Sequence, residues 1–109
     1  MKSLRFSEPL PALILDGEKD TTWRVDDEKD LSVDDRLSLR DTDGEEFAQA
    51  RILWVKETTF GRLTDEDRAG HESFESETEM YETYEEYYGR EITAETPVKV
   101  VRFKLTEAS

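Results

Sequence analysis

A glycine, a lysine, a threonine and an arginine crowd one short segment near the start of the chain, Gly17-x-Lys19-x-x-Thr22-x-Arg24. Side chains two apart on a strand point to the same side. If Thr22 opens a strand, Thr22 and Arg24 therefore share a face, and Lys19 reaches it from the preceding turn, where Gly17 frees the backbone. A hydroxyl, an amine that carries a proton and a permanently charged guanidinium then converge. The same spacing also suits a surface turn whose cations pair with Asp16, Glu18 or Asp20. Trp23 stands inside the segment, and its ring either stacks on a nucleobase, as aromatic platforms do, or packs in the core. His71 is the sole histidine, and without a second histidine or a cysteine it does not make a zinc site. Asp26-Asp27-Glu28 lacks the turn glycines and the tight oxygen array that magnesium or calcium requires. No metal and no cofactor are expected.

Short elements must hold these groups in place. Leu4 to Ser7 reads as a first strand, and Pro11 to Asp16 as a helical turn with Leu10, Leu13 and Ile14 inward and Gly17 in the cap. Thr21 to Val25 reads as a strand, followed by an acidic, turn-rich stretch to Asp35. Arg36 to Arg40 alternates as a half-buried strand does, and Asp43-Gly44 closes a hairpin onto Phe47 to Thr59. There Ile52 to Val55 is apolar on both faces, as expected of a central strand. Thr64 before Asp65-Glu66-Asp67 predicts a short helix to about Gly70. Ser76 with Glu79 matches a capping box, and Met80, Tyr81, Tyr84, Tyr87 and Tyr88 recur at helical spacing until Gly89. Core packing is the plain reading of that stripe. Val98 to Leu105 forms the last strand. This order predicts a small α+β fold with a curled, mainly antiparallel sheet.

The chain has 109 residues, which predicts one domain, 1–109, with a single modest core. Formal net charge is -13, from 28 acids against 15 bases, and the bases favour arginine, nine to six lysines. Acid spread along the whole chain resembles the proteins of halophiles: a carboxylate surface keeps a protein hydrated in molar salt, which also screens its self-repulsion. Between Asp65 and Glu86, ten acids accompany one base, Arg68. A solvated outer face accounts for them, with an acidic docking surface as the alternative. Affinity for phosphates comes mainly from lysine and arginine, so any nucleic-acid site here must be local and shaped. No run approaches the ~18 apolar residues of a membrane span, and the N-terminus lacks the order of a signal peptide. The location expected is cytoplasmic. The absence of cysteine excludes disulfides and thiolate chemistry.

The Gly17-x-Lys19-x-x-Thr22-x-Arg24 segment, placed after a short helix, resembles the signature of the ASCH domain, a family within the PUA-like superfamily. Further segments are similar to the family in the same order: Ser32-Val33-Asp34-Asp35-Arg36-Leu37 at a turn and strand, Leu63-Thr64, His71-Glu72-Ser73-Phe74, Tyr88-Gly89 and the closing strand. The resemblance spans about Leu4 to Leu105 and implies a small PUA-like β-barrel with flanking short helices and a cleft lined by the signature. It implies a nucleoside or RNA ligand, since small bacterial ASCH proteins hydrolyse N4-acetylcytidine to cytidine and acetate. Carried over, Thr22 is the nucleophile, Lys19 takes its proton, and Glu72 helps the leaving amine depart, with Glu75 its rival. Gly17, Trp23 and Arg24 are the binding residues, Arg24 holding the base or an oxyanion. A non-catalytic module that binds RNA or a modified nucleotide is the alternative, and a monomer is expected. Asp34 departs from the family's usual glycine. Glu18 and Asp20 flank Lys19 and favour its charged form, which opposes a role as base.

Overall fold

A computed structural model describes residues 1–25, 30–71 and 74–106. The described strands are β1 (Lys2–Arg5), β2 (Thr21–Arg24), β3 (Arg36–Arg40), β4 (Glu46–Thr59) and β5 (Pro97–Thr106). The α-helices are α1 (Leu10–Leu15), α2 (Asp65–Arg68) and α3 (Glu77–Tyr88), and a 3-10 turn, Phe60–Arg62, follows β4. The strands form one curled mixed sheet in the order β1-β3-β4-β5-β2. Only the β1–β3 pair is parallel; the other pairings are antiparallel. A parallel neighbour needs a crossover, and the chain makes it through α1 and β2. The result is a half-barrel of the PUA-like kind, whose edge strands are β1 and β2.

Each side of the sheet carries its own apolar cluster, because successive strand residues face opposite ways. Val101 and Phe103 of β5 pack with Leu4, Phe6, Ile14, Leu37, Leu39 and Ile52, where Pro11 and Ile14 bring α1 against the sheet. Val98 and Val100 point the other way and pack with Trp23, Phe60, Met80, Tyr84 and Ile92 beneath α3. Two-sided burial of the Ile52–Val55 run, expected from its composition, is interrupted. The β4–β5 register shifts between Ile52 and Trp54, which leaves Leu53 at an irregularity and 41% exposed.

The helix ends follow their sequence signals, with one exchange. The reciprocal capping box forms at Thr64 and Asp67, whereas Ser76 Oγ accepts a hydrogen bond from the backbone N–H of Glu79. Gly89 ends α3 in the left-handed conformation. Asp34, at the turn before β3, has φ +72°. The turn thus demands the left-handed backbone that favours glycine and that aspartate tolerates. Asp34→Gly is therefore expected to stabilise the fold by about 0.5 kcal/mol, a Tm rise of roughly 2–4 °C, checked by thermal denaturation.

The surface is strongly acidic. If salt adaptation accounts for that, Tm rises steeply between dilute buffer and about 2 M KCl, because screening removes self-repulsion across the carboxylate surface. A flat response across that range would refute it.

Candidate active site

The two edges of the curled sheet approach each other where β1 ends and β2 runs. Arg24 of β2 spans the seam: its Nη2 donates to the Arg5 carbonyl at 3.2 Å, and its guanidinium lies 4.8 Å from the centroid of the Phe6 ring. A cavity of about 280 Å³ opens in this seam. Its walls are Arg5, Phe6 and Ser7 after β1, Leu10 of α1, Lys19, Thr22, Trp23 and Arg24, Thr42 of the β3–β4 hairpin, and Tyr84, Tyr87 and Tyr88 of α3. That volume lies near the lower end of ligand pockets, roughly 300–1,000 Å³.

Four of the residues singled out in the sequence, Lys19, Thr22, Trp23 and Arg24, meet at this cavity. Thr22 and Arg24 do share one face of β2, and Arg24 Nε donates to Thr22 Oγ1 at 3.2 Å. The hydroxyl is thereby oriented, and the adjacent positive charge favours its ionised form. Lys19 is buried, only 2% exposed, and its Nζ donates to the Thr21 carbonyl at 2.7 Å. The amine therefore sits against the backbone that carries Thr22. The lysine is thus not on the surface, as a solvent-exposed turn would have it.

Gly17 is outside the cavity lining. Its part is local: with φ +82° it turns the chain after α1, so that the N–H groups of Glu18 and Lys19 both donate to the Leu13 carbonyl. Gly70 anchors the other side of this segment, its carbonyl accepting from the N–H groups of Asp20 and Thr21. With φ +76°, a β-carbon at Gly70 would collide with Asp20 Oδ1. Glu72 lies outside the described residues. Its rival Glu75 is exposed and does not line the cavity.

Trp23 is 2% exposed, and His71 stacks on it with ring centroids 3.7 Å apart. Its Nε1 donates to the Asp67 carbonyl at 3.1 Å. The exposed aromatic surface at the cavity belongs instead to Tyr87, 52% exposed. The tyrosine stripe thus divides: Tyr84 is core, with Nε2 of His71 at 2.9 Å from its hydroxyl, while Tyr88 receives the Val25 N–H. Periodicity placed these tyrosines on a helix but could not say which of them meets open space. Arg5, Ser7 and Thr42 carry no local signal, since they reach the cavity only through the pairing of β1 with β3.

Behind Trp23, Asp67 ties α2 to the sheet. Its carboxylate is 1% exposed and accepts from Lys56 Nζ at 2.8 Å and from the Thr64 N–H at 3.0 Å. Burial pushes this carboxyl up, but the hydrogen bonds from Lys56 and Thr64 outweigh it and hold it below the ordinary value. A carboxyl lowered on folding contributes stability above its unfolded value, about 3.9, and loses it as pH falls below that. Asp67→Asn is expected to cost about 1–3 kcal/mol at neutral pH. Urea titrations should show the gap between wild type and variant shrinking as pH drops below about 4. A gap independent of pH would reject the charged pair as its source.

Among the described residues no three histidines, cysteines or carboxylates group as metal ligands. No described helix is long and apolar enough to cross a membrane.

Fold and site together define a class: a small α+β half-barrel with a tyrosine-walled cavity at its seam, into which a lysine, a threonine and two arginines reach. More narrowly, the fold is ASCH-like. An ASCH domain from Lactobacillus crispatus JV V101 superposes with TM-score 0.66 at 18% identity, over 87% of this chain and 69% of that one. A hypothetical protein superposes with TM-score 0.74 at 20% identity, over 97% of this chain and all of its own length. A mutant ASCH protein from Zymomonas mobilis superposes with TM-score 0.65 at 15% identity, over 94% of this chain and 66% of that one. At such identities the likeness establishes the fold alone. No protein-family model matches the sequence, and no curated protein matches it.

Proposed function

We propose that the seam cavity binds a nucleoside and hydrolyses an acyl group from its base, with N4-acetylcytidine the representative substrate. The observation that carries this reading is the meeting of Lys19, Thr22 and Arg24 at one cavity, with the threonine hydroxyl held by the guanidinium. Thr22 Oγ attacks the acetyl carbonyl and gives its proton to the Lys19 amine. The carbon–nitrogen bond breaks, cytidine leaves with its N4 protonated, and water then cleaves the acetyl-threonine ester to acetate. Lys19 must be neutral for this: burial works toward that state, and Glu18 and Asp20 work against it. Protonation of the leaving amine is assigned to Glu72 by resemblance to the family.

A second reading has its own support. Lys19 Nζ donates to a backbone carbonyl, which suits a lysine that shapes a binding cleft as well as one that acts as a base. On that reading the domain holds RNA or a modified nucleotide without turnover. Chromatography of N4-acetylcytidine incubated with the folded protein in about 2 M KCl separates the two. Release of cytidine that disappears in Lys19→Ala supports the hydrolase. Binding without release supports the module, and release that survives Lys19→Ala removes the lysine from the mechanism.

A further inference from the structure

The seam is cationic in a protein of net charge -13. Arg5 and Arg24 both line the cavity. Arg24 is committed to Thr22 Oγ1, to the Arg5 carbonyl and to the face of Phe6. Arg5 is different: among the described residues its guanidinium has no carboxylate partner and no hydrogen bond, although the chain carries 28 acids. The residue is exposed. It lies over the hairpin glycine, where a β-carbon on Gly44 would come within 3.2 Å of Arg5 Nη2. Across the β1–β3 register, Arg40 donates to the Gly44 carbonyl at 2.8 Å and is balanced by Glu46 opposite it, which leaves Arg5 and Arg24 as the guanidinium groups of the cavity itself. Cations gathered at a cavity mouth repel one another until an anion joins them, and a guanidinium with all its donors unspent takes a phosphate through paired, charge-assisted hydrogen bonds.

We infer that Arg5 is a phosphate anchor, so that the ligand is a phosphorylated nucleoside, a mononucleotide or one residue of an RNA strand, in preference to the free nucleoside. This rests on the nucleoside reading of the cavity and adds the charge of its ligand. The phosphate sits at the rim beside Gly44, and the base enters toward Tyr87 and Thr22. Because a local guanidinium supplies the attraction, an overall acidic surface does not forbid it.

Calorimetric titration tests this with cytidine, cytidine 5′-monophosphate, cytidine 3′-monophosphate and the dinucleotide CpC, in moderate KCl with the fold verified by circular dichroism. The quantity read is the ratio of the Kd of cytidine to that of each phosphorylated ligand. A ratio of about ten is expected for wild type, falling to near one in Arg5→Gln, with partial retention in Arg5→Lys. Arg36→Gln removes the same charge from the far end of β3 and should keep the ratio at about ten. A gain with either monophosphate identifies a free nucleotide, and a gain with CpC alone identifies RNA; both support the anchor. A ratio near one in wild type overturns it while leaving the nucleoside reading intact. A ratio that Arg5→Gln leaves at ten, or that Arg36→Gln lowers equally, overturns the assignment to Arg5. Absence of binding by all four ligands overturns the nucleoside reading and this inference together.

Discussion

Thr22→Ala is expected to lower turnover of N4-acetylcytidine by at least about 10³-fold, because it deletes the only atom that forms the acyl bond in the proposed reaction. The fold should survive the change. Thr22 contributes one hydroxyl to the cavity wall, and its loss leaves Arg24 still held by the Arg5 carbonyl and Phe6. A lost hydrogen bond of this kind costs about 0.5–1.5 kcal/mol. Ligand affinity should move by no more than a few-fold, since the remaining cavity walls are untouched. Thr22→Ser restores a hydroxyl on the same strand face, within reach of Arg24 Nε, and should recover most of the rate. Comparing initial rates and Kd values across the three proteins reads the nucleophile directly. If Thr22→Ala keeps its rate, the hydroxyl is not the nucleophile and the binding module becomes the better account.

Trp23→Ala should be the most damaging single substitution for stability. The ring is buried among His71, Phe60, Phe74 and Tyr84, meeting Phe60 edge-on at 6.2 Å and stacking on His71 at 3.7 Å. Its Nε1 bond to Asp67 also fastens β2 to α2. Truncating a buried tryptophan costs about 3–5 kcal/mol, a large part of the 5–15 kcal/mol that holds a typical domain together. Tm is expected to fall by roughly 15–30 °C. Trp23→Phe keeps a ring in the stack and should lose about 1–2 kcal/mol, chiefly the Nε1 bond and some packing. A loss below about 1 kcal/mol on Trp23→Ala would mean that the ring is not part of the core and would return it to consideration as a stacking platform.

The order of elements was legible in the residues because each depends on local signals. Arg36 to Arg40 alternates, Asp43-Gly44 turns, Thr64 and Ser76 cap, and Gly89 stops a helix, all within a few positions of the element they define. Even the convergence of Thr22 and Arg24 is local, since the pleat of one strand puts both on the same face. The register shift at Leu53 was not legible, because a run of apolar residues reads the same whether its strand pairs evenly or slips by one.

Sequence by itself determined that this chain forms a small acidic α+β fold without disulfide staples, and that a lysine, a threonine and an arginine stand close together on one strand and its entry turn. Only the tertiary structure decided that these groups line a cavity. That depends on the curl of the sheet, which brings the ends of β1 and β2 together, and on α3 closing over the seam with Tyr84, Tyr87 and Tyr88. The parallel pairing of β1 with β3 likewise delivers Arg5 to the rim from 19 positions away from Arg24. Such placements come from long-range strand pairing, whose register is set by the burial of whole faces and by no residue near the site.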